Sequence, residues 1–174
     1  MASSIKDTAF LDFFFRRIRR VGPKQAALLQ DAVGSYPFYS PCGVELNFIR
    51  PADSAIVFHD LDGDELVFAG TLRQPFHPAS LAISAKTGRL YHELFNGMGG
   101  FGLIRSALAV TLSQQILAAE RDEDQNKYPE NNRSSGMLYI DQQTDGKFQI
   151  PWLPEEAEPG LWAMPSNDIT NSSS

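Results

Sequence analysis

One cysteine and three histidines of this 174-residue chain could form a thiol–imidazole pair for nucleophilic chemistry. A thiol attacks a substrate when a neighbouring imidazole removes its proton. The thiol here is Cys42, and the available bases are His59, His77 and His92. Their spacing does not say which of them meet, and a lone cysteine is more often a small buried hydrophobe. The pattern therefore leaves a catalytic and a structural interpretation of Cys42 open.

The glycine-rich segment 96–102 offers a different chemistry, the binding of an anion. If a helix begins at Leu103, the free amides of its first turn and the guanidinium of Arg105 could hold a phosphate or carboxylate. The segment lacks the Gly-Lys-Ser/Thr of a P-loop and the glycine spacing of the dinucleotide fingerprint. Glycine loops are also often only tight turns. The candidate anion-binding residues here are Gly99, Gly100, Gly102, Arg105 and Ser106.

Metal binding is not indicated by any spacing in the chain. The acidic run 60–65 resembles a calcium loop, but its glycine is fourth instead of sixth, and Thr71 stands at the twelfth position. We therefore interpret this run as a tight hairpin turn. The cysteine and the histidines lack the paired spacing of zinc ligands. We expect neither a metal nor a cofactor.

Size and charge limit the class of protein. A chain of 174 residues is long enough for one domain with its own core. No apolar run reaches the ~18–20 residues that cross a bilayer, so we expect no membrane span. The formal net charge of −6 argues against a nucleic-acid partner, because such proteins are usually basic. Residues 1–50 nevertheless hold seven bases and four acids, whereas residues 120–160 hold four bases and ten acids.

The N-terminal segment is predicted to form an amphipathic helix. Asp7 or Thr8 would cap it, and its apolar residues lie at spacings of three and four, which places them on one face. The arginine run 16–20 is expected in the last turn, where cations suit the helix dipole. A second short helix is predicted for 24–32.

The middle of the chain changes to short strands, which are rich in aromatic and β-branched residues and are separated by Pro, Gly and Asp. Strands are predicted at 36–39, 44–49, 54–61, 65–69, 81–83 and 89–94. After them, Ile104, Leu108, Leu112 and Ile116 repeat every four residues. This spacing favours a helix near 103–119, with a long strand as the alternative.

A final hairpin is predicted from 137–141 and 147–150, with its turn at Asp145-Gly146. The sequence thus predicts an α+β fold, in which an antiparallel sheet of about five to seven short strands packs with an N-terminal helix and the helix near 103–119. We expect residues 5–153 to form a single α+β domain. Residues 154–174 are expected to form a flexible acidic and polar tail.

Several strings in a fixed order resemble a known family. They include Tyr36-Pro-Phe-Tyr-Ser-Pro-Cys-Gly43 and Gly99-Gly-Phe-Gly-Leu-Ile-Arg-Ser-Ala-Leu-Ala109, and they extend over residues 5–115. The chain resembles the eukaryotic Uncharacterised Protein Family zero-five-nine-eight, a domain of unknown function, but it lacks the strand pair with which family members usually begin. A weaker similarity to bacterial domains of unknown function numbered twelve-eighty-five also implies an α+β fold.

The resemblance implies no established activity. Animal members are associated with mitochondria, which implies a mitochondrial location for this chain; it shows no secretory signal, so we expect it to be intracellular. Arg50, His92 and Arg105 are among the positions that match the family's motifs, and the two arginines could line a pocket for an anionic ligand. The competing interpretation pairs these arginines with nearby acids or carbonyls, which would hold the sheet to the helix.

Together these patterns predict a non-catalytic binding or interaction domain for an anionic small molecule or a protein partner. The alternative is a hydrolase or transferase that uses Cys42 and His92, with Arg50 or Arg105 for the charge of the substrate. Self-association through an exposed sheet edge, giving an oligomer, is a third hypothesis. Geometry separates them, because a catalytic pair needs hydrogen-bond contact and the anion site needs Arg105 at the glycine loop.

Overall fold

The computed structural model of the chain describes residues 7–29, 36–95, 100–118, 137–141 and 145–153. In this part of the chain there are three helices: α1 (Thr8–Arg16), α2 (Pro23–Leu29) and α3 (Ser106–Ser113). The strands before α3 are β1 (Arg19–Arg20), β2 (Phe38–Cys42), β3 (Glu45–Ile49), β4 (Val57–Asp62), β5 (Glu65–Phe68), β6 (Leu72–Pro75), β7 (Leu81–Ser84), β8 (Leu90–Glu93) and β9 (Phe101–Ile104). After α3 come β10 (Ile116–Ala118), β11 (Met137–Ile140), β12 (Lys147–Ile150) and β13 (Trp152–Leu153). The predicted tail, 154–174, lies outside the described residues.

A seven-stranded mixed sheet forms the centre of the fold, in the order β13-β7-β8-β9-β4-β5-β6. Its strand pairs are antiparallel except β4–β9 and β7–β13, which are parallel. Two antiparallel sheets of three strands, β1-β2-β3 and β10-β11-β12, complete the described fold. The predicted α+β class is confirmed, but three sheets replace the single antiparallel sheet. Local patterns locate strands along the chain and do not say which strands pair.

Large apolar side chains on alternating strand positions form the core of the central sheet. Phe58 and Leu66 are completely buried, and Leu108 and Leu112 pack one side of α3 against the same core. Gly102 allows the Phe58 ring to lie against β9, because a Cβ atom at this position would lie 2.4 Å from Phe58 Cε2. A glycine of the predicted anion loop thus permits the close packing of two paired strands.

The predicted N-terminal helix is confirmed, with Asp7 as its cap. The Asp7 carboxylate accepts a hydrogen bond from the Phe10 N–H at 3.1 Å. The arginine run does not lie in the last turn as predicted, because α1 ends at Arg16. Arg19–Arg20 instead forms β1, which pairs with β2. Hydrogen bonding between strands overrides local helix propensity at this point.

The predicted helix near 103–119 is too long. Only Ser106–Ser113 is helical, while β9 lies between β8 and β4, and β10 pairs with β11. Apolar residues four positions apart share a face of a strand as well as of a helix, so the repeat fits both structures. Because β9 pairs with a strand on each side, residues 101–104 form a strand and not the first turn of a helix.

The other predicted elements are found with shifted ends. The second helix is α2, the six strands predicted between 36 and 94 correspond to β2–β5, β7 and β8, and the final hairpin is confirmed by the antiparallel pairing of β11 and β12. The edge strands β6 and β13 were not predicted, because they are short and carry exposed residues. No helix among the described residues is long and apolar enough to cross a membrane.

Candidate functional site

A cleft of about 520 Å³ runs along one side of α3, and we call it the α3 cleft. Its walls come from α3, from β4, β7, β8 and β9, and from the first residues of β10 and β11. Its apolar lining consists of Val57, Ile83, Leu90, Leu103, Ile104, Ala109, Val110, Ile116 and Met137. Its polar side chains are Arg89, Arg105, Ser106 and Ser113. The volume is within the ordinary range of small-molecule sites, about 300–1,000 Å³.

Arg105 stands where β9 ends and α3 begins. Its backbone N–H donates to the carbonyl of Phe58 at 2.9 Å, and its carbonyl accepts from the N–H of Ala109 at 2.9 Å. The main chain is therefore fixed, whereas the side chain is exposed. Among the residues that the structure describes, none forms an ion pair or a hydrogen bond with the Arg105 guanidinium. Its positive charge is available to a ligand in the cleft.

The first turn of α3 adds partial positive charge beside Arg105. No side chain of the described residues caps this helix end, and Ser106 and Ala107 are exposed there. Amide groups of a first helical turn have no acceptor within the helix. A negatively charged oxygen is stabilised at such a helix end, and the Ser106 side chain lies at the cleft beside it.

The second cation of the α3 cleft, Arg89, is already paired. Its Nη1 lies 2.5 Å from Asp53 Oδ2, and the Tyr91 hydroxyl donates to the Asp53 carboxylate at 3.1 Å. Burial, and then the negative charge of Asp53, raises the pKa of Tyr91 to about 12, so its hydroxyl remains a donor at neutral pH. Asp53 therefore balances Arg89, and Arg105 supplies the unbalanced charge of the cleft.

The structure brings together only part of the predicted anion site. Arg105 and Ser106 line the α3 cleft, but the end of the glycine segment forms part of β9, so the segment does not lead directly into the helix as predicted. Gly102 packs against the core and Gly100 is buried. Gly99 lies outside the described residues.

Arg50 and Arg105 follow strands of different sheets, β3 and β9. The guanidinium of Arg50 lies 6.0 Å from the centre of the Tyr36 ring. Arg50 is not one of the residues that line the α3 cleft. The two arginines that share this cleft are therefore Arg89 and Arg105, instead of Arg50 and Arg105.

His92 is completely buried in β8, where hydrogen bonds occupy both of its ring nitrogens. Nε2 accepts from the His77 N–H at 3.0 Å, and Nδ1, at 2.7 Å from the Glu93 carbonyl, donates to it in the tautomer that fits both contacts. Gln74 Nε2 donates to the same carbonyl at 2.8 Å. Burial lowers the pKa of His92, which keeps the ring neutral at neutral pH.

Cys42 lies in β2, opposite Glu45 of β3, and so belongs to a different sheet from His92. Cys42 and His92 are both described by the structure, and no hydrogen bond joins them. The groups that hold His92 leave neither of its nitrogens for a thiol. The structure therefore does not assemble the catalytic pair of the alternative hypothesis.

Sequence reasoning missed the apolar walls of the α3 cleft. Val57, Val110 and Met137 are far apart in the chain and meet only in the folded protein. One local signal was present, because Val110 is a large apolar residue on the outer side of a short helix and is 66% exposed. Among the described residues, no three side chains of His, Cys, Asp or Glu lie close enough to hold a metal ion.

Comparison with protein-family models gives a match over most of the chain. A family model described as "Domain of unknown function (DUF4505)" matches residues 1–144. The matched region contains every residue that lines the α3 cleft. No solved structure matches the chain. The match therefore groups the chain with other proteins without assigning a reaction or a ligand.

Proposed function

The chain belongs to the family described as domain of unknown function (DUF4505), and we propose that it is a non-catalytic binding domain for a small amphiphilic anion. The ligand carries one carboxylate-type head and an apolar chain. The observation that carries this proposal is the exposed Arg105, which has no partner among the described residues and stands at a cleft with largely apolar walls.

The polar end of the cleft suits a single anionic head. The guanidinium of Arg105, the uncapped first turn of α3 and the hydroxyl of Ser106 are neighbours there. A guanidinium binds a carboxylate through charge-assisted hydrogen bonds, which contribute about 1.5–3 kcal/mol each. Arg89 adds less, since Asp53 already balances its charge.

The remainder of the cleft suits an apolar chain. Val57 is 40% exposed and Val110 is 66% exposed, so the cleft presents large apolar side chains to water. Covering such surface contributes about 25 cal/mol per Å² of apolar area. A head without a tail would leave this surface wet, and a tail without a head would leave Arg105 without a ligand.

Calorimetric titration of the full chain with decanoate, below the concentration at which it forms micelles, tests the proposal. Decanoate has both the head and the tail that the cleft suits, so we expect it to bind. Acetate lacks the tail and decanol lacks the charge, and we expect both to bind at least about tenfold more weakly, in line with the contribution of one charge-assisted hydrogen bond.

Two arginine variants test whether decanoate binds in the α3 cleft or is attracted only by positive charge at the surface. Arg105→Ala is expected to weaken decanoate binding about tenfold. Arg50→Ala is the matched control, because it removes an exposed arginine outside the cleft and leaves the affinity unchanged. Val110→Glu places a carboxylate on the exposed apolar wall and should also weaken binding, through repulsion of the head.

The proposal is wrong if Arg105→Ala and Arg50→Ala weaken decanoate binding equally, or if decanol binds as well as decanoate. Cys42→Ser tests the competing enzyme hypothesis. A binding domain keeps its decanoate affinity after this change, whereas a thiol enzyme would be trapped as a covalent adduct by an activated decanoyl ester only when Cys42 is present.

We include in the proposal that the family is the eukaryotic one that the sequence strings resemble and that the chain resides in mitochondria. The resemblance supports both points. Fractionation of eukaryotic cells that express the full chain with a C-terminal tag tests the location. We expect the tagged chain with matrix or membrane markers of mitochondria, and its recovery in the cytosolic fraction would contradict this part.

A further inference from the structure

A second cleft, of about 450 Å³, lies on another part of the molecule, and we call it the arginine cleft. Arg16 at the end of α1, Arg19 in β1 and Arg73 in β6 line it. Phe15, Thr71 and Leu72 add to its walls. It shares no lining residue with the α3 cleft. Three arginines thus line one small cavity.

Arg19 is held in a defined direction and still has donors available. Its Nη1 donates to the carbonyl of Ile18 at 2.8 Å and to the carbonyl of Arg16 at 3.2 Å. A guanidinium carries five N–H donors in a planar fork, so these two contacts leave others for an anion. No carboxylate of the described residues forms an ion pair with Arg16 or Arg19.

Arg73 is oriented by two acids that belong to the neighbouring hairpin. Its Nη1 lies 2.7 Å from Asp62 Oδ2 and 3.5 Å from Glu65 Oε2. Both carboxylates are exposed, so water and salt screen them and the pairs are weak. Arg73 therefore contributes a positioned donor, and Arg16 and Arg19, which form no ion pair among the described residues, contribute further positive charge.

The acid closest to Arg16, Asp12, is used in a different way. Its Oδ1 accepts from the N–H of Gly70 at 3.0 Å and from the N–H of Thr71 at 2.8 Å, and its Oδ2 accepts from the Thr71 hydroxyl. These bonds attach α1 to the β5–β6 turn and lower the pKa of Asp12. Asp12 thereby holds Thr71 in the wall of the cleft, and the positive charge of Arg16 acts on it without a direct ion pair.

We infer that the arginine cleft binds a ligand with at least two phosphate-type groups. Planar guanidinium forks match phosphate oxygens and can bind them in pairs. Several guanidiniums around one cavity suit a multiply charged group better than one carboxylate. Arg17 and Arg20 lie next to the cleft in the chain and add to the positive potential that attracts such a ligand. The inference concerns a site separate from the α3 cleft and does not depend on its proposed ligand.

Phosphate groups of this kind reach a protein either on a free molecule or on a lipid headgroup. Titration of the full chain with pyrophosphate tests the free form. Co-sedimentation with phosphatidylcholine vesicles, with and without phosphatidylinositol bisphosphate, tests the headgroup. Inorganic sulfate is the control for a doubly charged anion that lacks a second phosphate-type group.

Variants decide whether binding occurs in this cleft. Arg19→Ala is expected to weaken pyrophosphate binding about tenfold, and Arg16→Gln, which leaves the backbone of α1 unchanged, by a similar factor. Arg50→Ala is the matched control, because Arg50 lines neither cleft, and it should leave pyrophosphate binding unchanged. Thermal melts followed by circular dichroism show whether Arg19→Ala retains the fold, and Arg16→Gln carries the test if it does not.

Each result supports or overturns the inference. Arginine-dependent binding of pyrophosphate, or of vesicles only when they contain the bisphosphate lipid, supports it and identifies the source of the phosphate. Absence of binding in both assays overturns it, and so does pyrophosphate or sulfate binding that Arg16→Gln and Arg19→Ala leave unchanged. Decanoate affinity is measured on the same variants, so failure of this site and failure of the α3 cleft are distinguished.

Discussion

The two clefts use the same side chain in different surroundings. In the α3 cleft one unbalanced guanidinium, Arg105, stands beside an apolar wall, whereas three arginines line the smaller arginine cleft. In both clefts an arginine favours an anionic ligand, and the neighbouring residues determine which kind of anion fits. Apolar walls select a single head with a tail, and further arginines select a compact group with several charges.

The clefts also differ in what holds their walls. The α3 cleft rests on β4, β7, β8 and β9, whose side chains form the core. The arginine cleft depends on α1, which has no fully buried residue among Thr8–Arg16. Phe14 and Phe15 of this helix pack against the core, and the rest of its attachment consists of polar contacts. These contacts are the hydrogen bonds of Asp12 and the bond from the Ser40 hydroxyl to the Phe14 carbonyl at 2.8 Å. We expect the first cleft to respond to core changes and the second to changes at the helix contacts.

The largest effect is expected from Gly102→Ala, which tests how far the α3 cleft depends on the core. The new Cβ would lie 2.4 Å from Phe58 Cε2 and 3.1 Å from Leu94 Cδ2, so the core must shift. Such overpacking costs about 3 kcal/mol, or a decrease of about 10 °C in the melting temperature. Calorimetry should also show weaker decanoate binding, with a smaller change in pyrophosphate binding.

Gly22→Ala is the matched control for this substitution, because the nearest atom to its added Cβ is Gln25 Oε1 at 3.4 Å, an ordinary contact. The melting temperature should change by only about 1 °C. Equal melting temperatures for Gly22→Ala and Gly102→Ala would contradict the close packing of β9 on Phe58.

The next prediction concerns His92, a buried residue of the central sheet that supports both clefts. His92 lies in β8, which lines the α3 cleft, and contacts Gln74, the neighbour of Arg73 in β6. Because burial lowers the pKa of His92, the unfolded chain takes up a proton near pH 6.5 and the folded chain only at lower pH. This contribution to stability is complete above pH 6.5 and is lost as the pH falls below it.

Urea unfolding above and below pH 6.5 measures this dependence. His92→Gln should lower the free energy of unfolding at neutral pH by about 2 kcal/mol, because the His77 N–H and the Glu93 carbonyl lose a partner. It should also reduce the loss of stability in acid, whereas His59→Gln, the control, keeps it. An unchanged pH dependence in His92→Gln would contradict the assignment.

Local patterns predicted the parts of the fold that local interactions decide. Asp7 caps α1 through its own first turn, and Asp145-Gly146 precedes β12 in the predicted hairpin. The helix near 103–119 was extended too far because a four-residue repeat fits both a helix and a strand. Pairing of β9 with strands on both sides ended that ambiguity, and such partners cannot be read from the repeat.

The candidate sites show the same limit. Arg105 and Ser106 were predicted from their position after the glycines, and the arginine run 16–20 was visible as a basic segment. The partners that turn these residues into sites come from distant segments. Val57 joins the α3 cleft, and Arg73 joins the arginine cleft, only through the arrangement of the central sheet.

Asp12→Ala tests whether the arginine cleft depends on the contacts that attach α1 to the β5–β6 turn. The change removes the acceptor of three hydrogen bonds from Gly70 and Thr71. The site is accessible to solvent, so the expected loss is only about 1 kcal/mol, or about 3 °C in the melting temperature. Pyrophosphate affinity should fall while decanoate affinity is kept. Asp12→Asn, which retains an acceptor, should give a smaller effect on both readouts, and an equal loss of both ligands would contradict the separate support of the clefts.

The smallest effect is expected from Asp53→Asn, which makes the α3 cleft more like the arginine cleft. The change removes the charge that balances Arg89 and leaves two unbalanced arginines at the cleft. Arg89 is largely exposed, so salt screens its gain, and decanoate affinity should rise only about threefold at low salt and not at high salt. Pyrophosphate affinity in the arginine cleft should not change.

The phenol of Tyr91 provides an independent measurement of the same change. Asp53 and burial together raise its pKa to about 12, so Asp53→Asn should lower the pKa, and absorbance titration of the phenolate follows it. A lower Tyr91 pKa with higher decanoate affinity means that Asp53 and the ligand compete for Arg89. A lower Tyr91 pKa with reduced affinity would mean that Asp53 must hold Arg89 in place for binding. In that case Asp53 would position the guanidinium of Arg89 in the α3 cleft, as Asp62 positions that of Arg73 in the arginine cleft.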